Sequence, residues 1–326
     1  MQLYAVDKPL GLTSHDVVAR SRRLLGTKRV GHAGTLDPLA TGVLLVMANE
    51  ATKLSGYLTG HDKTYLAWVT LGATTPTLDA EGPITRTADA SRVTPEVLRP
   101  ALTPFLELRT QRPPAFSAVK KAGVRSYAAA RRGAVEEPPV RPVAYRQVEL
   151  LDLAEDTADL PSRFALPPGA LPGMYEPASG GHTFELPPPP QVDEGVDDAG
   201  SRRTALLRLT VGAGTYVRSF ARDLGTALGL PAYLSGLVRT ASGGVDLAEA
   251  TDLDGIAKAE PVDVIRALDL PTHVLSEEQV TDVRHGKRPP LALSGRTALV
   301  TSDGALVAMA ETTEGAAGYR LLRVFN

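Results

Sequence analysis

The 326-residue sequence contains no cysteine. This absence excludes disulfides, cysteine-ligated metals and thiol nucleophiles. Long hydrophobic runs are also missing, because no segment approaches the roughly 18 apolar residues that a bilayer crossing requires. The N-terminal residues lack the basic-then-apolar pattern of a secretory signal, so we expect a cytoplasmic protein without membrane contacts. The length predicts two domains, or one large domain with an appendage.

Net charge is also scarce, since 35 Lys and Arg residues face 37 Asp and Glu residues, which gives −2. A value near zero argues against a nucleic-acid partner, because phosphate binding normally requires a basic surface. The charge is segregated, however. Residues 1–150 carry 20 basic and 13 acidic side chains, and residues 201–240 carry six basic and one acidic, so these two segments together have a net charge of +12. Residues 151–200 carry one basic and ten acidic side chains, and residues 241–326 carry eight basic and 13 acidic. The +12 portion predicts a body that binds a polyanion, although a solvated basic surface would give the same count.

Hydrophobic patterning predicts one mixed α/β (α+β) domain over residues 1–245, interrupted at about 151–203. The interrupting segment is rich in proline, glycine and acidic residues and lacks a regular period, which indicates a mobile acidic insertion outside the core. Residues 246–269 are predicted to be a linker. Short apolar runs and the hairpin signals Asp303-Gly304 and Glu314-Gly315 then predict a small β-domain over 270–326. The predicted elements are strands over 3–6, 65–71 and 204–211, a helix that Thr13 or Ser14 caps and that runs to Gly26, and a helix over 215–228.

The densest loop in the sequence runs from Gly31 to Gly42. Its glycines permit positive φ and close approach of a ligand, while Pro38 favours an extended Asp37. A carboxylate on such a stiff loop is a candidate catalytic group, although a lone aspartate in a loop of this kind more commonly caps local backbone amides.

A second candidate, Gly214-Thr215-Tyr216-Val217-Arg218, lies where a strand gives way to a helix. An arginine there can pair with a carboxylate such as Asp37 and keep it ionised in an apolar pocket. The alternative is a surface arginine beside a half-buried tyrosine. The segment is no dinucleotide fingerprint, because Val217 occupies the place of the third glycine.

Aromatic and basic residues provide two further candidates. Tyr65, in Lys63-Thr64-Tyr65, can stack on a base or move a proton, although strand packing alone would account for it. Residues 111–133 interleave basic and aromatic side chains, which suits phosphate contacts and stacking on RNA; a solvated basic helix is the alternative. The six histidines form no metal-ligand pattern, so we expect no metal.

Together these blocks resemble the bacterial tRNA pseudouridine synthase B (TruB) family. The resemblance covers most of residues 1–240, and the block from His32 to Gly42 is its most specific part. It is carried, in chain order, by Asp7 to Asp16, Gly31 to Gly42, Lys63 to Tyr65, Gln111 to Tyr127 and Gly214 to Arg218.

The resemblance implies isomerisation of one uridine in the T-loop of tRNA, position 55, to pseudouridine. The family flips the base, cleaves its N1–C1′ bond, rotates the detached uracil and rejoins it through C5, without metal or cofactor. The resemblance also implies a mixed-sheet catalytic domain, a C-terminal PUA-type β-barrel that binds RNA, and a monomer acting on the tRNA T-arm. The insertion departs from the family in length and acidity, and we expect its removal to spare catalysis.

The resemblance also implies roles for individual residues. Asp37 matches the essential aspartate, which acts as nucleophile at C1′ or as base at C2′, and Arg218 matches its partner. Tyr65 matches the tyrosine that stacks on the target base. The substrate-binding residues are expected to be His32, which replaces the flipped base in the T-loop, Tyr216, Leu237 in the uracil pocket, and the basic residues Lys63, Lys120, Arg131 and Arg132.

Two other functions fit the same sequence. One is a tRNA-binding or folding factor in which the chemistry is secondary. The other is a guide-RNA-dependent synthase of the archaeal and eukaryotic type, which the absence of a lysine-rich tail disfavours.

Overall fold

The computed structural model describes residues 1–115, 120–121, 124–125, 138–313 and 318–325. Arg131, Arg132 and the predicted turn Glu314-Gly315 lie outside these residues. Lys120 lies in a short strand whose side chains are likewise outside the description.

The described chain is rich in strands. In chain order they are β1 (Gln2–Lys8), β2 (Val30–Ala33), β3 (Ala40–Ala48), β4 (Lys63–Leu71), β5 (Ala73–Thr74), β6 (Arg86–Thr87), β7 (Thr110–Gln111), β8 (Lys120–Lys121), β9 (Val124–Arg125), β10 (Arg141–Pro142), β11 (Tyr145–Ala154), β12 (Arg163–Ala165), β13 (Glu176–Pro177), β14 (His182–Thr183), β15 (Arg203–Val211), β16 (Ala232–Ser242), β17 (Val245–Asp246), β18 (Thr251–Asp252), β19 (Thr272–Val274), β20 (Arg296–Val300), β21 (Leu306–Thr312) and β22 (Tyr319–Val324).

Helices are short and fewer. The α-helices are α1 (Ser14–Leu24), α2 (Ser55–Thr59), α3 (Pro95–Leu102), α4 (Val217–Ala227), α5 (Val264–Leu268) and α6 (Glu277–Arg284), and short 3-10 turns span Asn49–Leu54, Thr103–Glu107, Thr157–Asp159, Leu247–Glu249 and Asp254–Ala257. None of the helices in the described residues has the length and apolar character needed to cross a membrane.

A large mixed sheet forms the centre of the molecule, as the α/β prediction requires. Its strands run in the order β11-β15-β4-β16-β3-β1-β18, with β17 on β16 and β2 on β3. Most neighbours are antiparallel, but β16–β3 and β1–β18 are parallel. Strand β16 therefore lies between β4 and β3, which brings residues from distant parts of the sequence side by side.

The two faces of this sheet are buried differently. Because side chains alternate along a strand, Tyr65 and Ala67 of β4 pack on one face and Leu66 and Trp68 on the other. The first face, called the helical face below, is covered by α1, α3 and α4. The opposite face, called the far face, is covered by residues of the predicted insertion and of the C-terminal sheet.

Helix α1 begins at the predicted residues. Thr13 is its N-cap in a capping box, in which the Thr13 hydroxyl accepts from the Asp16 amide at 3.1 Å and the Asp16 carboxylate accepts from the Thr13 amide at 2.9 Å. Such a box satisfies amides that the first turn leaves unpaired. Ser14, freed from capping, donates to the Leu36 carbonyl at 2.9 Å and accepts from the Leu36 amide at 2.8 Å. The start of α1 thus fixes the loop that precedes β3.

The acidic segment between β11 and β15 is packed, which corrects the prediction that it is mobile and outside the core. Phe164 and Tyr175 are fully buried on the far face, and the Phe164 ring meets Trp68 edge-on at 5.9 Å. Strands β12, β13 and β14 form a small sheet there. The segment lacks periodicity because the central sheet supplies the apolar surface, so a few irregularly spaced aromatics suffice to anchor it. We call residues 155–202 the insert.

The remaining C-terminal chain also packs closely. Within the predicted linker, Thr251–Asp252 extends the central sheet beside β1, and Leu253 and Ile256 are buried in the core of the helical face. Strands β19–β22 form a four-stranded sheet, consistent with a PUA-like domain. The predicted hairpin at Asp303-Gly304 joins β20 to β21, with Gly304 at φ 85°.

Candidate active site

A cavity of about 280 Å³ opens on the helical face where β4, β16 and the start of α4 meet. Six predicted site residues line it: Asp37, Lys63, Tyr65, Tyr216, Arg218 and Leu237. The other residues that line it are Gly34, Thr35, Leu36, Thr59, Val211, Gly212, Gly214, Thr215, Val217 and Arg239. Segments far apart in sequence therefore converge in one place.

The loop before β3 presents Asp37 to this cavity. The Pro38 carbonyl accepts from the Gly11 amide at 2.9 Å and from Lys8 Nζ at 3.4 Å. The Asp37 carbonyl accepts from the Ala40 amide at 3.1 Å, while its carboxylate remains 39% exposed. Hydrogen bonds to the Pro38 and Asp37 carbonyls thus hold the loop backbone in place, and the Asp37 carboxylate faces the cavity, where it can act on a bound molecule.

Lys8 supports this loop from inside the protein. It is fully buried, and Nζ also donates to the carbonyls of Pro9 at 2.8 Å and Leu12 at 2.6 Å. Burial lowers the pKa of Lys8 to about 8, and the negative charge of Asp37 opposes this lowering. Lys8 therefore ties the N-terminal motif to the Asp37 loop.

Arg218 makes the central ion pair of the cavity. Its Nε lies 2.9 Å from Asp37 Oδ2, and its Nη1 donates to the Thr77 carbonyl at 3.1 Å. The side chain is only 7% exposed. Its place in the first turn of α4 follows from Tyr216, the extended N-cap, whose amide donates to Gln111 Oε1 at 3.0 Å.

Asp79 is a second carboxylate on the same arginine, and sequence reasoning missed it. Its Oδ2 lies 3.3 Å from Arg218 Nη1, and it is 1% exposed. Burial raises its pKa, and the Arg218 guanidinium opposes that rise. Asp79 lies in an irregular segment next to Leu78, which has φ 62°, and no motif or spacing marks it. Only the fold brings it to an arginine so distant in sequence.

Tyr65 and Leu237 form the wall opposite this pair. In the register of β4 and β16, Tyr65 is opposite Arg239 and Leu237 is opposite Ala67, so both side chains lie on the helical face. Tyr216 also lines the cavity, and burial raises its pKa. The wall offers aromatic and apolar surface to a planar group.

Two buried cations complete the cavity. Lys63 Nζ donates to the carbonyls of Thr59 at 2.7 Å and His61 at 2.5 Å, and burial lowers its pKa to about 8. Arg239, to which sequence reasoning gave no role, donates from Nε to Val43 O at 2.6 Å and from Nη2 to Gly34 O at 2.8 Å. Arg239 therefore ties β16 to the Asp37 loop and β3.

His32 lies outside the residues that line the cavity. It belongs to β2, and its ring meets that of His15 edge-on at 5.5 Å. Burial lowers its pKa to about 4, so the imidazole is neutral at physiological pH. A neutral ring of this kind is suited to stacking.

The donor set offers acid–base and ionic chemistry. Within the described residues, no cluster of three or more His, Asp or Glu side chains is placed to hold a metal ion. The chemically distinctive feature is a half-exposed carboxylate, held by a buried arginine, beside a tyrosine in an apolar-walled cavity.

Comparisons with known proteins identify the family. The family model described as TruB family pseudouridylate synthase (N terminal domain) matches residues 22–164. Proteins named tRNA pseudouridine synthase B are similar over most of their length: that of Thermus thermophilus is 49% identical, covering 95% of each chain, and that of Deinococcus radiodurans is 46% identical, covering 95% of this chain and 96% of the relative.

Solved structures share the fold. A crystal structure of a Cbf5-Nop10-Gar1 complex has a chain 23% identical with a TM-score of 0.62, covering all of this chain and 84% of that one. A chain in the crystal structure of the archaeal box H/ACA sRNP Nop10-Cbf5 complex is 21% identical with a TM-score of 0.61, covering all of this chain and 86% of that one. Because its identity to the bacterial synthases is about twice as high and spans nearly the whole chain, this protein belongs to the TruB family of pseudouridine synthases, which are isomerases.

Proposed function

We propose that the protein converts the uridine at position 55, in the T-loop of tRNA, to pseudouridine, with Asp37 as the essential catalytic group. The observation that supports this most directly is the ion pair between Asp37 and Arg218 in a cavity walled by Tyr65 and Leu237. The relatives from Thermus thermophilus and Deinococcus radiodurans are named tRNA pseudouridine synthase B.

The reaction needs no net change in composition. The N1–C1′ bond of uridine breaks, a C5–C1′ bond forms, C5 loses its proton and N1 gains one. A carboxylate facing the sugar drives the first step, either as nucleophile at C1′ or as base at C2′. Glycosidases usually add a second carboxylic acid that protonates an oxygen leaving group. Here the leaving uracil is recaptured in the same cavity, so one reacting carboxylate is sufficient.

Arg218 and Asp79 position that carboxylate. The Arg218 guanidinium balances the charge of Asp37, and the buried Asp79 holds the guanidinium from behind. Asp79 is too deeply buried to contact the substrate. Of the two carboxylates on Arg218, Asp37 is therefore the one that reacts.

Tyr65 and Leu237 hold the base. A tyrosine ring stacks on a planar uracil, and its hydroxyl is suited to removing the C5 proton. Leu237 and Tyr216 limit the space in which the detached uracil rotates. Holding the uracil close to C1′ favours its return over escape into water.

The target base must first leave the loop stack, which costs a few kcal/mol and requires a firm grip on the surrounding RNA. We assign that grip to Lys63, Lys120, Arg131 and Arg132. The protein is proposed to act on the T-arm as a monomer. We assign to His32, whose ring is neutral and which belongs to β2, the role of filling the space that the base vacates.

The test uses T-arm RNA tritiated at C5 of uridine. Asp37→Asn is expected to abolish tritium release while RNA binding persists. Asp159→Asn, which changes an exposed carboxylate of the insert, is the matched control and is expected to release tritium at the wild-type rate. Continued release by Asp37→Asn would overturn the assignment. Retained RNA binding would separate catalysis from the tRNA-binding or folding activity considered as the alternative.

A further inference from the structure

The insert is fastened to the central sheet by one buried carboxylate. Asp246 of β17 accepts from the Gly173 amide at 2.6 Å, from the Tyr175 hydroxyl at 2.8 Å and from the Ala248 amide at 2.8 Å. Asp246 is 5% exposed and Tyr175 is fully buried. We call Gly173, Tyr175, Thr240 and Asp246 the latch.

The latch lies on an irregularity of the sheet. Between β4 and β16, Tyr65 is opposite Arg239 and Thr64 is opposite Ala241, so Thr240 is an extra residue on its strand. Such a bulge bends the strand and redirects the neighbouring side chains. Here the neighbour that lines the cavity is Arg239.

Gly173 is pressed against this bulge. The Thr240 hydroxyl donates to the Gly173 carbonyl at 2.9 Å. Gly173 has φ 83°, and a Cβ there would lie 2.8 Å from the Cβ atoms of both Ala241 and Thr64. Only glycine allows this conformation and this approach.

A second contact fixes the same part of the insert to the next strand. The Tyr175 carbonyl accepts from Arg208 Nη2 at 2.7 Å, and Arg208 Nη1 pairs with Glu149 of β11 at 2.7 Å. The chain around Gly173 and Tyr175 is thus held by β16, β17 and β15 together. It cannot move without disturbing the far side of the active-site strands.

We propose that the latch is a positioning device for catalysis. By holding the Thr240 bulge from the far face, it sets Arg239 and Tyr65 in the cavity on the helical face. Gly173, Tyr175, Thr240 and Asp246 are positioning residues, so the insert serves catalysis through its residues Gly173 and Tyr175. This inference rests on the proposed function, because the positioning matters through the reaction that Tyr65 serves.

The test compares Thr240→Val, which removes the hydroxyl at nearly constant volume, with Thr240→Ser, which restores it. We expect single-turnover tritium release to slow roughly tenfold in Thr240→Val and to return to within about twofold of wild type in Thr240→Ser, the loss being that of one buried hydrogen bond. Tyr175→Phe removes a different hydroxyl and is expected to slow release in the same direction. RNA affinity is expected to stay within about twofold throughout.

Leu160→Ala is the matched control, because Leu160 is buried in the far-face core of the same insert but belongs neither to the latch nor to the rings that pack on Tyr175. It is expected to lower the melting temperature without slowing release. Equal rates for Thr240→Val and Leu160→Ala would overturn the latch. If wild type itself releases no tritium, the proposed function fails, and amide exchange then decides the latch. Faster exchange at Tyr65 and Arg239 in Thr240→Val supports it, and unchanged exchange overturns it.

Discussion

At the scale of single residues, the site is organised around one arginine with two unequal carboxylates. Asp37 is half-exposed and faces the cavity, whereas Asp79 is buried behind the guanidinium. Removing one partner of a buried pair leaves the other charge poorly compensated. Neutralising Asp37 is therefore expected to remove the reacting group, whereas neutralising Asp79 is expected to disturb the position of Arg218.

Asp79→Asn is expected to lower turnover at least about tenfold, the equivalent of about 1.4 kcal/mol in the transition state. The physical reason is that Arg218 loses its rear partner and shifts away from Asp37. RNA affinity is expected to be unchanged, because Asp79 is 1% exposed. Single-turnover kinetics and filter binding measure the two quantities. Asp159→Asn, the exposed carboxylate of the insert, is the control here as well; an equal loss of turnover in that variant would contradict the assignment.

The lowered pKa of the buried Lys63 is expected to make the stability of the protein depend on pH. The pKa of Lys63 is about 8 in the fold and 10.5 as a free side chain. Between these values the unfolded chain binds more protons, so the free energy of unfolding rises with pH. We compare the free energy of unfolding of the wild type with that of Lys63→Met, as measured by urea unfolding. The wild-type value minus the variant value is expected to increase by about 2 kcal/mol from pH 7.5 to pH 9.5. A difference that does not change with pH would show that Lys63 titrates normally.

Sequence reasoning found one carboxylate of the pair and not the other, for a physical reason. Asp37 lies in a loop whose glycines and proline mark it as special, and Arg218 follows a Gly-rich strand end. Asp79 and Arg239 carry no local signal, because their environment is created by strand order. Burial and pairing across a sheet depend on which strands become neighbours, and that is a property of the whole fold.

At the scale of elements, regular patterns were predictable and irregular packing was not. The strand conformation of β4, the capping residues of α1 and the hairpin between β20 and β21 each follow from local sequence. The insert has no period of its own, because its aromatics pack on a surface formed by other strands. For the same reason, local sequence does not reveal the two-residue strand β18 within the predicted linker.

Phe164→Ala tests whether the insert belongs to the core. The ring is fully buried against Trp68, so its loss is expected to cost about 3–5 kcal/mol in the free energy of unfolding. Leu171→Ala, at a position that is 75% exposed in the same segment, is expected to change stability little. Chemical denaturation measures both. A small effect of Phe164→Ala would restore the expectation of a mobile, dispensable segment.

At the scale of the whole molecule, charge and architecture correspond. The acidic insert and the C-terminal sheet both pack on the far face, whereas the cavity opens on the helical face. The net charge of −2 therefore hides a basic body with acidic segments behind it. We therefore expect a polyanion to approach from the side on which the cavity lies.

RNA binding is accordingly expected to depend steeply on salt. Released counterions make log affinity fall linearly with log salt, by about 0.7–0.9 for each phosphate neutralised. Filter binding of T-arm RNA at several salt concentrations gives the slope. An affinity independent of salt would contradict binding through the phosphates.

The packing of the insert also gives the protein a built-in optical probe. Trp68 is the single tryptophan of the chain, 1% exposed and in edge contact with Phe164 on the far face. All indole fluorescence therefore originates beneath the insert and on the opposite side of the sheet from the cavity. Detachment of the insert would expose the indole to water and shift its emission to longer wavelength, so a native signal can follow the insert during catalysis without an added label.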